Sequence, residues 1–122
     1  MKQETTVLKQ IKTKEDAATV SRDAAYKMME DAIKESPWGS KAEVNGPQLD
    51  LLIKLYLDHP SDDTGLFMAF DDFGLLIGLL ACVKSDHLVV TSVASELMWY
   101  VSPEYRTSGV GIEMIKAFEK WA

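Results

Sequence analysis

The run Leu75–Val83, LLIGLLACV, carries no charged residue and sits directly behind DDFG, a turn-forming tetrapeptide. It shows neither the 3.6-residue period of a surface helix nor the strict alternation of a half-wet strand. A short, almost wholly apolar run bounded by a turn signal fits a strand covered on both faces, the usual state of a strand inside a sheet. The preceding stretch, LFMAFD, is a second short apolar strand, so the two form a hairpin over residues 65–84. A sheet with such a strand at its centre needs helices to cover it.

The flanking sequence supplies them. TTVLKQIKT reads as a short strand, with Val7, Lys9 and Ile11 alternating against Leu8, Gln10 and Lys12. Thr13 with Asp16 three residues on forms a helix N-cap arrangement. From Lys14 to about Glu35, Ala17, Val20, Ala24, Met28 and Ile33 keep helical spacing, and Pro37 ends the segment. SPWGSKAEVNGP is a loop, after which Pro47 opens the helix QLDLLIKLYLDH, which stops before Pro60. The apolar residues of that helix lie on more than one face, which predicts burial on two sides or cover by a partner. Beyond the hairpin, KSDHLVVTS is a connection and VASELMWYVSP a third apolar strand ended by Pro103. A final helix runs from about Gly109, with Val110, Met114, Phe118 and Trp121 on its apolar face and Ile115 and Ala117 alongside. The predicted order is β-α-α-β-β-β-α, a mixed α+β domain with a sheet flanked by helices. The strand and helices of residues 5–59, the hairpin and the segment 94–122 make one domain over residues 1–122.

Composition narrows the function classes. The formal charge of −6 argues against a nucleic-acid partner, which calls for clustered Lys and Arg. No apolar run reaches the roughly 18 residues that would span a bilayer, and the polar start MKQETTVLKQIKTKEDA is not a signal peptide. The one cysteine, Cys82, lies within the apolar run and reads as a small core residue; a reducing cytoplasm suits a chain without a disulfide. His59 and His87 have no second ligand nearby, so no metal is assigned, and the pairs Asp62-Asp63 and Asp71-Asp72 read as solvated turns.

The chemistry concentrates near the last helix. RTSGVG, residues 106–111, places Arg106, Gly109 and Gly111 at a strand–loop–helix junction. The first turn of a helix offers unpaired N–H groups and the positive end of its dipole, and glycines let an anion approach. Taken alone, the pattern serves equally well as a tight turn. A Walker loop would need Lys and Ser or Thr after the last glycine, where Ile112 and Glu113 stand; a dinucleotide fingerprint would need a third glycine and an early place in the chain.

The longer stretch ELMWYVSPEYRTSGVGIEMIKAFEKWA resembles the acyl-CoA-binding motif of the GNAT superfamily of N-acyltransferases. Tyr100-Val101-Ser102-Pro103-Glu104-Tyr105-Arg106 matches its strand end, and Arg106, Gly109 and Gly111 match its loop. The resemblance implies a GNAT-like fold around a mostly antiparallel sheet, and acetyl transfer from acetyl-CoA to a primary amine by direct attack on the thioester. It implies that the backbone of Thr107, Ser108, Gly109, Val110, Gly111 and Ile112, with Arg106 beside it, holds the CoA pyrophosphate. Main-chain groups near Tyr100 and Val101 would pair with the pantetheine arm, and an N–H near Tyr100 would face the thioester carbonyl. Amine acylation also needs a base, because an ammonium has no lone pair. Glu96, on the same strand, is the candidate, and the plain alternative is a structural hydrogen bond or a solvent-facing side chain.

Members of that superfamily continue past the motif helix with further strands and a helix, and a tyrosine that protonates the leaving thiolate commonly lies there. The resemblance therefore leads us to expect a chain lacking the C-terminal part of the fold. The uncovered strand edge and helix face this would leave predict a homodimer, with or without exchanged elements. Two function classes fit these observations: an N-acetyltransferase, and an interaction module that keeps the scaffold without turnover.

Overall fold

A computed structural model describes residues 6–35, 46–85 and 93–122. In chain order it contains β1 (Val7–Gln10), α1 (Lys14–Ala18), α2 (Arg22–Glu35), α3 (Gly46–Leu57), β2 (Thr64–Phe70), β3 (Leu76–Ser85), β4 (Val93–Val101), a single 3₁₀ turn (Pro103–Tyr105) and α4 (Val110–Trp121). The four strands form one antiparallel sheet in the order β1-β2-β3-β4. The apolar run thus lies inside the sheet, as its composition predicts, and β4 is an edge among the described residues.

Burial of β3 on both faces divides the core in two. On one face Leu66 and Met68 of β2 and Leu79 and Ala81 of β3 pack with Met28 and Met29 of α2 and with Leu49, Ile53 and Tyr56 of α3. On the other, Phe67, Leu80 and Cys82 pack with Val110 and Met114 of α4. Alternation along the strands sends neighbours to opposite faces. A bulge between β2 and β3 shifts the phase, so Ile77 joins Leu80 and Cys82 instead of Leu79. The Tyr56 hydroxyl donates to the Cys82 carbonyl at 2.8 Å, which satisfies a polar group inside the core. Each fully buried Leu or Met contributes about 1.5–3 kcal/mol relative to exposure.

Local chemistry corrects one expectation and narrows another, since of the two states expected for α3 only burial on both sides is overturned. The segment Lys14–Glu35 is two helices, not one. Thr13 and Asp16 form the expected capping box, but Thr19 ends α1 by donating its hydroxyl to the Asp16 carbonyl at 2.7 Å. Ser21 then starts α2, its hydroxyl accepting from the Ala24 N–H at 3.2 Å. Short hydroxyl side chains compete with helical bonding and so cut the run. The apolar spacing survives the break because Val20, between the helices, is also buried. In α3, burial is one-sided: Leu49, Ile53, Tyr56 and Leu57 are buried, whereas Leu51 and Leu55 are exposed.

DDFG closes the hairpin as expected. Asp71 Oδ1 accepts from the N–H groups of Phe73 (2.8 Å) and Leu75 (2.9 Å), and Gly74 takes the left-handed conformation with φ of 80°. On the α4 side, Gly65 lies directly beneath Trp121. A Cβ there would come within 2.8 Å of Cys82 Sγ and 2.9 Å of Trp121 Cε2. Gly65→Val is therefore expected to destabilise the domain by about 1–3 kcal/mol through overpacking. Urea denaturation measures this, and an unchanged midpoint would show that the α4–sheet contact is looser than described.

Candidate functional site

β4 ends where α4 begins, and the short link between them builds the site. The β3–β4 register shifts between Ala81 and Cys82: Met98 faces Ala81, Glu96 faces Cys82, and Leu97 is the extra residue of a bulge. Beyond the bulge the Ser102 N–H donates to the Ile77 carbonyl at 2.8 Å. In an antiparallel ladder the residues turned to the partner alternate with those turned away. Tyr100 and Met98 therefore direct their main-chain groups to β3, while Trp99 and Val101 turn theirs to the open edge.

The link is held by its own backbone. Pro103–Tyr105 makes one 3₁₀ turn, in which the Tyr105 N–H donates to the Ser102 carbonyl (2.9 Å) and the Arg106 N–H to the Pro103 carbonyl (3.4 Å). The Tyr105 hydroxyl reaches Asp71 Oδ2 at 3.3 Å and ties the turn to the hairpin. Ser108 donates its hydroxyl to the Tyr105 carbonyl at 2.6 Å, and its oxygen accepts weakly from the Val110 N–H at 3.4 Å. Gly109 is the N-cap of α4 with φ of 89°, a conformation that costs an L-residue about 1–2 kcal/mol. The N–H groups of Thr107, Gly109, Gly111 and Ile112 have no partner among the described residues. Thr107, Gly109 and Ile112 are exposed and Gly111 is half-buried. A Cβ on Gly111 would stand 3.5 Å from Trp99 Cζ2 and 3.7 Å from Val101 Cγ2, so β4 and the first turn of α4 meet at this glycine.

Arg106 turns back from the loop. Its Nε donates to the Val101 carbonyl at 2.9 Å, its guanidinium pairs with Glu35 at 2.5 Å, and it lies 5.4 Å from the centre of the Tyr100 ring. Of the outward groups of Val101, the carbonyl is thus engaged and the N–H is not. Arg106, Glu35, Ala32, Trp99, Tyr100 and Val101 line a cleft of about 460 Å³. Burial holds the Tyr100 phenol above its ordinary value, with the Glu35 and Asp31 carboxylates adding to the shift and Arg106 opposing it. Tyr100 is accordingly a neutral hydrogen-bond donor at neutral pH.

The structure thus brings Tyr100, Val101 and Arg106–Ile112 together around one junction. Glu96 stands on β4 immediately before the bulge. Sequence reasoning passed over Glu35 and the outward main-chain groups of Trp99. Glu35 lies 71 positions from Arg106 and belongs to no motif. His87 lies outside the described residues, and His59 borders a separate hollow with Lys14, Arg22 and Asp58. No group of three His, Cys, Asp or Glu is placed to hold a metal ion among the described residues. Among the same residues, no helix is long and apolar enough to cross a membrane.

Comparison with known proteins bears on the family and the fold. The family model described as Acetyltransferase (GNAT) family matches residues 25–122. No curated protein sequence matches significantly. Among solved structures, the aminoglycoside acetyltransferase AAC(6')-Iy in complex with the bisubstrate analogue CoA-S-monomethyl-acetylneamine superposes with a TM-score of 0.69 at 16% identity, over 96% of this chain and 71% of that one. The aminoglycoside 6'-N-acetyltransferase AAC(6')-Ih from Acinetobacter baumannii gives 0.64 at 19% identity, over 97% and 71%. A possible acetyltransferase from Clostridium difficile 630 gives 0.69 at 14% identity, over 94% and 69%. At these identities the structures speak for the fold, and the family match covers most of the chain. The chain belongs to the GNAT acetyltransferase family and is an enzyme of that type.

Proposed function

We propose that the chain transfers an acetyl group from acetyl-CoA to a primary amine by direct attack on the thioester. One observation carries this reading: two sets of unpaired main-chain groups adjoin. The amides of Thr107, Gly109, Gly111 and Ile112 cluster at the start of α4, beside the outward N–H and carbonyl of Trp99 and the outward N–H of Val101. The first set suits a diphosphate, aided by the helix dipole. The second suits an extended arm with its own amide groups, added along the open edge as an extra strand. Arg106, Ser108 and Val110 shape the loop, and Tyr100 walls the cleft. The pairing role passes to Trp99 and Val101, because the main-chain groups of Tyr100 face β3. An outward N–H there can donate to the thioester oxygen as negative charge grows on it.

In the reaction a base removes a proton from the acceptor ammonium. The free amine attacks the carbonyl carbon, the C–N bond forms, and the C–S bond breaks with its electron pair leaving on sulfur, where a proton is taken up. Glu96 is the base we assign, on the strength of its place on β4 next to the bulge. The CoA-containing complex of AAC(6')-Iy supports acetyl-CoA as donor by analogy of fold.

Calorimetric titration with acetyl-CoA tests the site. The native chain is expected to bind, and Gly111→Asp to weaken binding at least about tenfold. A carboxylate in the first turn competes for the amides while suiting the helix N-terminus, so the fold should survive. No binding to the native chain would favour the scaffold-only interaction module. Glu96→Gln is expected to leave acetyl-CoA affinity intact and cut acetylation of a panel of primary amines by about 100-fold or more. Unchanged thiol release would remove Glu96 from the mechanism. A second copy of the chain is the partner we infer for the exposed Leu97 at the β4 bulge, which is 52% exposed and stands outside the residues assigned to acetyl-CoA. Sedimentation equilibrium should give a dimer mass that Leu97→Glu lowers, and a monomer at every concentration would overturn the inference.

A further inference from the structure

We propose that Glu35 is the carboxylate that receives a positively charged acceptor, and that Arg106 masks it until the diphosphate of the acyl donor draws the guanidinium away. This rests on the acetyl-transfer reading and names the acceptor class for the same cleft.

The argument begins with where Arg106 is. Its guanidinium holds three contacts at once: Nε on the Val101 carbonyl at 2.9 Å, the Glu35 carboxylate at 2.5 Å and the face of the Tyr100 ring with 5.4 Å to the centroid. A carboxylate beside an aromatic face is a cation site. The guanidinium stands in for the ammonium of a substrate, and its position shows that the cleft accommodates a cation there.

The two carboxylates of α2 nearest Glu35 in the chain are served within the helix. Asp31 pairs with Lys27 at 2.7 Å and Glu30 with Lys34 at 3.6 Å. The cation matched to Glu35 instead comes from the loop that starts α4, and both members of the pair line the cleft with Trp99 and Tyr100.

The pair can be exchanged at little cost. Each side chain is 47% exposed, and ion pairs so open to water add little to stability. Arg106 opens the loop whose free amides suit a diphosphate, and a diphosphate offers its planar fork more charge and more acceptor oxygens than one carboxylate does. Once the guanidinium turns to the diphosphate, Glu35 and the Tyr100 face are left without a cation. The reacting amine must be neutral to attack, so the charge held by Glu35 belongs to a second amino group. The acceptor class is therefore an oligoamine, in keeping with a chain of formal charge −6.

Spermidine serves as probe in calorimetric titrations with and without saturating CoA. Native protein is expected to bind spermidine about tenfold more tightly when CoA is present. Glu35→Gln should bind CoA at least as tightly as the native protein, because the guanidinium is already released, and should lose that gain. Arg106→Gln, in the absence of CoA, should bind spermidine as tightly as native protein does in its presence. CoA binding that leaves spermidine affinity unchanged, or a gain that persists in Glu35→Gln, would overturn the proposal. If CoA fails to bind at all, the acetyl-transfer reading falls and the donor-driven exchange falls with it. Masking itself is still decided by Arg106→Gln, and no gain over the native protein refutes it.

Discussion

Two-sided burial of β3 is the constraint on which the rest of the structure depends. A strand with no polar face can lie only inside a sheet, and that sheet needs cover above and below. The helices α2 and α3 take one face and α4 takes the other. Once α4 lies across β3, its first residue, Val110, is fixed against the sheet beside Val101, and its N-terminus opens at the end of β4. The open first turn of α4 is thus a product of core packing. Trp121 holds the other end of the helix, over a strand position that only glycine can fill without displacing a neighbour.

The bulge at Leu97 decides which backbone groups the site presents. Side chains and main-chain groups alternate along a strand, so one extra residue reverses the phase of everything on one side of it. After the bulge, Tyr100 bonds inward to β3, and Trp99 and Val101 are left to face outward. The same phase sends Tyr100 and Met98 to the α2 face and Val101 to the α4 face. The cleft and the edge groups therefore arise from a single irregularity.

How much of this could be read from the residues depends on the range of the interaction. LLIGLLACV, the Thr13–Asp16 box, the Asp71 turn and the glycine at the start of α4 are short-range signals, and each takes the form its residues predict. The break between α1 and α2 was concealed because Val20 keeps the apolar spacing while Thr19 and Ser21 interrupt the hydrogen bonding. The two apolar faces of α3 look alike in sequence, and only tertiary packing distinguishes buried Ile53 from exposed Leu51. No residue type marks Leu97 as a bulge, so the sequence names Tyr100 and Val101, whereas the register turns the main-chain groups of Trp99 and Val101 outward. Glu35 meets Arg106 only because α2 packs against β4, a contact between segments far apart in the chain.

Arg106 gives that contact its meaning. One side chain joins the end of β4 through the Val101 carbonyl, the end of α2 through Glu35, and the cleft wall through Tyr100. A buried, fully satisfied arginine with three such partners would be a fixed strut, costly to disturb. This one is half exposed, so water screens each tie and any one of them can be traded. A half-exposed cation that springs from the loop before α4 and pairs with a carboxylate on α2 couples the two necessarily. Whatever binds one partner more strongly alters the charge the other presents, and the coupling runs equally in both directions.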